Sequence, residues 1–260
     1  MRADPAVEAA VAARLRGGGS VFAEEEAASL LAAGRDAAHL DALVSARISG
    51  QPLEHLVGHV VFHGLRIPVG PGIFVPRQRS DHLVDTVLGL VRETSTVLDL
   101  CCGCGAIGYA LHRAAECEID VWATDLDPLG VAWATRLLPA GRVVQGDLFD
   151  GLPAGLRFDV IVANAPYVPS SRIALMPAEA RDHEPVLALD GGADGLAIHR
   201  RMAGAAGRWM TPTGRFVTEI GEPQIDAALT LYSSAGFDVT ISRDDERDAT
   251  ALIAWRRAGR

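Results

Sequence analysis

No stretch of this sequence stays apolar long enough to cross a membrane. Every hydrophobic run is short and broken by charge or glycine, whereas a spanning helix needs about 20 apolar residues. The opening MRADPAVEAAVAARLRGGGS also lacks a signal-peptide core, because Glu8 and Arg14 interrupt its alanine-rich helical pattern. The cytoplasm is therefore the expected location, with no membrane partner. Excess positive charge is missing as well: 33 acidic residues face 24 basic ones, for a net charge of -9. Proteins that grip a nucleic-acid backbone draw much of their affinity from phosphate neutralisation. Direct nucleic-acid binding is not expected, despite the local pair Arg77 and Arg79. Cysteine is sparse, with only Cys101, Cys102, Cys104 and Cys117. Cys101 and Cys104 form a C-x-x-C, but zinc would need two further ligands and no second pair follows. Gly103 and Gly105 do not suit a thioredoxin-like pair either. The expectation is no metal, and small side chains packed into a tight glycine turn.

What is present suffices for a soluble core: 260 residues, 49% hydrophobic and 22% charged, enough for one large domain and a smaller companion. Three short helical patterns occupy the first fifty residues. The first starts with Asp4 as cap and Pro5 in the first turn, the second with Ser20 as a possible cap and Gly34 as its stop, and the third runs from Asp36 to Gly50. Residues 1–51 are expected to form a helical bundle. Residues 52–78, rich in β-branched and aromatic residues with Gly64, Gly70 and Gly72 as turn points, are expected to form a linking β-hairpin. Over 79–260, strands and helices alternate: TVLDL, a helix from Ala106, IDVWATDLD, a helix from Pro128, RVVQGD, FDVIVAN, a helix near Asp194 to Met210, GRFVTEI, a helix from Pro223, FDVTIS and ATALIAW. This alternation predicts an α/β fold with a doubly wound, mostly parallel sheet.

Successive strand ends carry the chemistry. In VLDLCCGCGAIGYAL, Gly103 and Gly105 let the backbone turn sharply and let a ligand approach. Asp99, just before that turn, either caps turn amides or lies near a ligand's charged end. The next strand ends at Asp125, about twenty residues on, where an acid accepts hydrogen bonds from ribose hydroxyls. Asp127, followed by Pro128, is the better helix cap. The third strand ends at Asp147. The fourth, VIVANAPYVP, delivers Asn164, Ala165, Pro166 and Tyr167 to the same crevice. The Asn164 side chain and the Ala165 backbone each offer a carbonyl acceptor. Pro166 holds Ala165 extended, and Tyr167 offers a flat face. Two acceptors and a platform suit a planar NH2 group, an amide or an exocyclic amine. Its lone pair is delocalised, and fixing both hydrogens favours the charge that develops as the nitrogen attacks.

These segments together resemble the class I S-adenosylmethionine-dependent methyltransferases, and specifically the HemK-type protein-glutamine methyltransferases. GDLFDGLPAGLRFDVIVANAPYVP, RDHEPVLALDGGADGL and GRFVTEIGEPQ carry the likeness more specifically than the glycine loop does. The resemblance implies a Rossmann-like sheet of seven strands, S-adenosylmethionine as donor, S-adenosylhomocysteine as product, and no metal. It further implies methylation of the glutamine amide in the Gly-Gly-Gln motif of a peptide-chain release factor. By position, Cys101, Cys102, Gly103, Cys104 and Gly105 would contact the donor, with Asp99 near its amino-acid end. Asp125 and Leu126 would lie at the ribose, Asp147 and Leu148 near the adenine. Asn164 and the Ala165 backbone would hold the amide, Pro166 and Tyr167 would shape the pocket, and Phe74 and Arg77 would cover the donor or the substrate entrance. His183 and Glu184 are conceivable bases or loop-structuring residues.

Departures from the family bear on the substrate. Its Asn-Pro-Pro-Tyr is Asn-Ala-Pro-Tyr here, which keeps the backbone carbonyl and gives up some rigidity. Its Arg-Pro-Glu-Thr-Glu has become Arg77-Gln78-Arg79-Ser80-Asp81, with Arg79 in place of an acid. The glycine loop holds three cysteines, and the N-terminal bundle is short. The alternatives are a paralogue acting on another protein or a small-molecule amide or amine, an adenine methyltransferase of nucleic acid, and a non-catalytic donor-binding protein.

Overall fold

Three short helices open the chain in the computed structural model, which describes residues 4–257. The outer ends of the two expected terminal segments, 1–3 and 258–260, lie outside the described residues. Helix α1 (Pro5–Gly17) starts at Asp4, whose carboxylate accepts from the Ala6 amide. Helix α3 (Ala37–Ile48) is capped by Asp36, which accepts from the His39 amide. Helix α2 (Ala23–Ala33) corrects the expected cap: Phe22 holds that position without a side-chain bond, and the Ser20 hydroxyl is buried without a partner. Glu24, Glu25 and Glu26 instead favour the positive end of the helix. Val11, Leu15, Leu30 and Val44 form a small core of their own.

The next segment is not all hairpin. Helix α4 (Leu53–Val57) precedes it and stops at Gly58, whose φ of 81° suits glycine. Strands β1 (His59–Phe62) and β2 (Leu65–Pro68) then pair antiparallel. Helix α5 (Asp81–Leu88), absent from the pattern read in the sequence, leads into the sheet.

Seven strands make that sheet: β3 (Ser95–Leu100), β4 (Ile119–Asp125), β5 (Val143–Gln145), β6 (Phe158–Ala163), β7 (Met210–Glu219), β8 (Phe237–Asp244) and β9 (Ala249–Arg256). Their order is β5-β4-β3-β6-β7-β9-β8. The strands from β5 to β7 are parallel neighbours, while β9 runs antiparallel between β7 and β8. Helices α6 (Ala106–Ala114), α7 (Pro128–Ala134), α8 (Ala178–His183), α9 (Ala197–Ala206) and α10 (Ile225–Ser234) complete the fold. It is the doubly wound, mostly parallel α/β sheet that the alternation predicts.

Side chains alternate across each strand. Val97 of β3 packs with Val84, Val87 and Leu111 on one face. Leu98 and Leu100 join Met202, Ala206 and Tyr232 on the other. Coverage of both faces explains the nearly unbroken apolar runs of β3 and β6. Winding reverses between these two neighbours, so a crevice opens at their carboxyl ends.

Candidate active site

The crevice is a cavity of about 260 Å³, walled by the loops that follow β3, β4, β5 and β6. From the first loop come Cys101, Cys102, Gly103 and Cys104; from the second and third, Asp125, Leu126, Asp147 and Leu148. Asn164, Ala165, Pro166 and Tyr167 line it from the fourth, and Phe74 and Arg77 from the segment after the hairpin. Two sequence candidates, Asp99 and Gly105, are not among its walls.

The glycine loop achieves its turn with left-handed residues: Cys101 at φ 60°, Gly103 at 52° and Gly105 at 81°. A Cβ on Gly103 would meet nothing within 4 Å, whereas one on Gly105 would sit 2.9 Å from the Ala134 Cβ. Gly103 thus leaves room for a ligand, and Gly105 leaves room for α7. Beneath the loop, Asp99 Oδ2 accepts from the Gly108 amide at 2.7 Å, and its buried Oδ1 has no partner. Burial pushes this carboxyl up to about 7, against the Gly108 bond and aided by the charge of Asp125. Burial likewise pushes the Cys104 thiol up to about 12 and raises Cys101 and Cys102. The three thiols therefore remain protonated and act as small, weakly polar walls.

Asp125 stiffens the same loop. Its Oδ2 accepts from the Gly103 amide at 2.7 Å and its Oδ1 from the Asp127 amide at 2.8 Å. Each oxygen keeps a second lone pair for a ligand hydroxyl. Asp127 caps α7 by accepting from the Leu129 amide at 2.9 Å, the cap that the sequence suggests. Asp147 pairs with Arg201 at 2.8 Å.

After β6, the Asn164 Nδ2 donates to Ser80 Oγ at 3.0 Å, and Ser80 Oγ donates to Glu219 Oε2 at 2.6 Å. The Tyr167 hydroxyl donates to Glu219 Oε1 at 2.9 Å and accepts from Arg79 Nη2. Arg79 Nε reaches Glu219 Oε1 at 3.1 Å. Burial, with the charge of Glu219, raises the Tyr167 phenol. Among the described residues, none donates to Asn164 Oδ1 or to the Ala165 carbonyl. Ser80 and Glu219 are not among the sequence candidates. Glu219 is an acid ending β7, the strand beside β6.

Arg77 grips Glu184 through Nη2, at 2.6 and 2.8 Å, and lies 4.9 Å from the Phe74 ring centre. Glu184 also accepts from the Val75 amide at 3.3 Å. That carboxylate holds the end of the hairpin segment, and neither it nor His183 lines the cavity.

A family profile described as a methyltransferase domain matches residues 97–184, from β3 to the end of α8. A release factor glutamine methyltransferase of Geobacter sulfurreducens is 32% identical over 218 residues, 82% of this chain and 76% of that one. The Moorella thermoacetica protein of the same name is 37% identical over 201 residues, 74% and 70% of the two chains. This chain belongs to the release factor glutamine methyltransferase family. A solved methyltransferase from Pyrococcus furiosus shares the fold at a TM-score of 0.57 and 18% identity, covering 74% of this chain and 89% of its own. The similarity to the family's members extends well beyond the sheet, since their matches take in most of this chain.

Proposed function

We propose that this member transfers a methyl group from S-adenosylmethionine to the side-chain amide nitrogen of a glutamine in the Gly-Gly-Gln motif of a peptide-chain release factor. The observation that carries this reading is the Asn164 amide, fixed by its nitrogen on Ser80, with Asn164 and Ala165 side by side in the cavity wall. The residues present fit the donor. Gly103 leaves a gap where a ligand backs onto the turn, and Asp125 keeps lone pairs for hydroxyls. Cys101, Gly103, Asp125, Leu126, Asp147 and Leu148 would hold it. When bound, S-adenosylmethionine supplies an electrophilic methyl group on a sulfonium.

The chain's own contribution is alignment. Asn164 Oδ1 and the Ala165 carbonyl accept the two amide hydrogens, which holds the nitrogen in one orientation. As nitrogen gains positive charge, both acceptors hold it more tightly than they hold the neutral amide, which is selective stabilisation of the transition state. Tyr167 flanks the amide plane, and the surplus proton leaves to water. The cytoplasm is the compartment this reading implies.

The test is incubation of the purified chain with methyl-labelled donor and a release factor, followed by peptide mass spectrometry. Label on the motif glutamine is expected. An unlabelled glutamine, beside a labelled residue of another type, would overturn the assignment.

A further inference from the structure

Asparagine presents an oxygen on one side and an NH2 on the other, and a rotation of χ2 exchanges them. An acceptor for a substrate amide must hold one of these two states. With NH2 turned inward, donor would face donor and the pocket would repel its substrate. A neighbouring side chain of fixed polarity must therefore select the state.

We propose that Ser80 and Glu219 are positioning residues that set the polarity of the Asn164 side chain; the proposal rests on the reading of Asn164 as the acceptor of the substrate amide. A carboxylate paired with a guanidinium only accepts hydrogen bonds. Glu219 is so paired, with Arg79 Nε at 3.1 Å. Ser80 has a single proton, and the 2.6 Å contact to Glu219 Oε2 commits it there. Its oxygen then has only lone pairs left for Asn164, 3.0 Å away. Asn164 must answer with its NH2, which leaves Oδ1 as the group offered to the cavity. The order of donors follows from the acceptor-only end of the chain and from no other choice.

The three members come from separate elements, which makes the order a property of the fold. Ser80 immediately precedes α5 and is 1% exposed; Glu219 ends β7 and is 4% exposed. Strand β7 pairs with β6, with Thr218 opposite Ala163, so the ends of both strands meet at the cavity. Burial matters because water would otherwise supply Ser80 with other donors and acceptors and uncouple it. Arg79 and the Tyr167 hydroxyl occupy Glu219 Oε1, which leaves Oε2 to Ser80. Arg79, which stands where the family carries an acid, thus acts as the counter-charge that keeps Glu219 an acceptor.

Ser80→Ala removes the link, and Ser80→Thr keeps the hydroxyl. Methylation of a release-factor glutamine gives kcat and KM, titration of S-adenosylmethionine gives donor Kd, and thermal melting reports the fold. Ser80→Ala should lower kcat roughly 10- to 100-fold, as loss of alignment does. Donor Kd should stay within about two-fold, a change too small to signify loss of a binding contact. Ser80→Thr should keep most of the wild-type kcat. Wild-type kcat in Ser80→Ala overturns the proposal, and so does an equal loss in Ser80→Thr. Should Ser80→Ala fail to fold, Ser80→Cys keeps the volume with a weak donor and acceptor; a loss of kcat supports the proposal and full kcat overturns it. If the wild-type chain leaves the glutamine unmodified, the functional reading fails first, and the two failures remain distinct.

Discussion

At the scale of residues, Asn164 donates from its side-chain nitrogen to Ser80, and the oxygen at the other end of the same amide is the acceptor proposed for the substrate. Asn164→Ala should lower kcat/KM by about 100-fold or more, the size expected for losing a fixed polar partner of the transition state. Donor Kd should hardly move; parallel calorimetric titration and steady-state kinetics check both. Asp99 makes a second prediction, about pH. Its carboxyl titrates near 7 in the fold, above its ordinary 3.8, so the folded state holds an extra proton between those values. The contribution to stability is present below about pH 4 and is lost as pH rises through about 7. Asp99→Asn should remove that fall, as urea melts across the range will report. Asn164 and Asp125 stand out in the sequence because Asp125 ends β4 and Asn164 directly follows the apolar β6. Ser80 and Glu219 were not, because 139 residues separate them and only the packed sheet brings them together.

Among the elements, the glycine loop is the most constrained. Gly105 adopts a φ of 81° and its Cβ position touches Ala134 of α7. Gly105→Ala should therefore cost about 1–3 kcal/mol, read as a lower denaturant midpoint. Donor affinity should weaken with it, because α7 also packs Gly130 against the Gly103 carbonyl. The central strands β3 and β6 were legible because each is a largely apolar run between turn residues. Helices α4 and α8, five and six residues long, are too short to fill the window of about 11–18 residues in which helical periodicity shows. The Ser20 cap failed for a related reason: a serine upstream of an alanine-rich run marks where a helix could begin, and the glutamates of α2 set where it does.

Across the whole molecule, Arg47 joins the bundle to the cavity side of the sheet domain. It donates to both oxygens of Glu26 at 2.7 and 3.0 Å, and to Glu179 of α8 at 2.5 Å. These bonds raise the guanidinium further, against the opposing effect of burial. Arg47→Ala would strand Glu26, which is 7% exposed; removing one partner of a buried pair costs about 3–5 kcal/mol. The melting temperature should drop, and KM for a release factor should rise more than kcat falls, since α8 lies between Met176 and Pro185 of the cavity wall. Alternating strands and helices made the fold class legible from the sequence. The seating of the bundle was not, because it rests on side chains that no local pattern connects. The most direct measurement of the central claim is a crystal structure with S-adenosylhomocysteine and a Gly-Gly-Gln peptide bound. The account predicts the glutamine amide nitrogen at about 3 Å from both Asn164 Oδ1 and the Ala165 carbonyl oxygen. An amide bound elsewhere, or an Asn164 presenting its NH2 to the peptide, would contradict it.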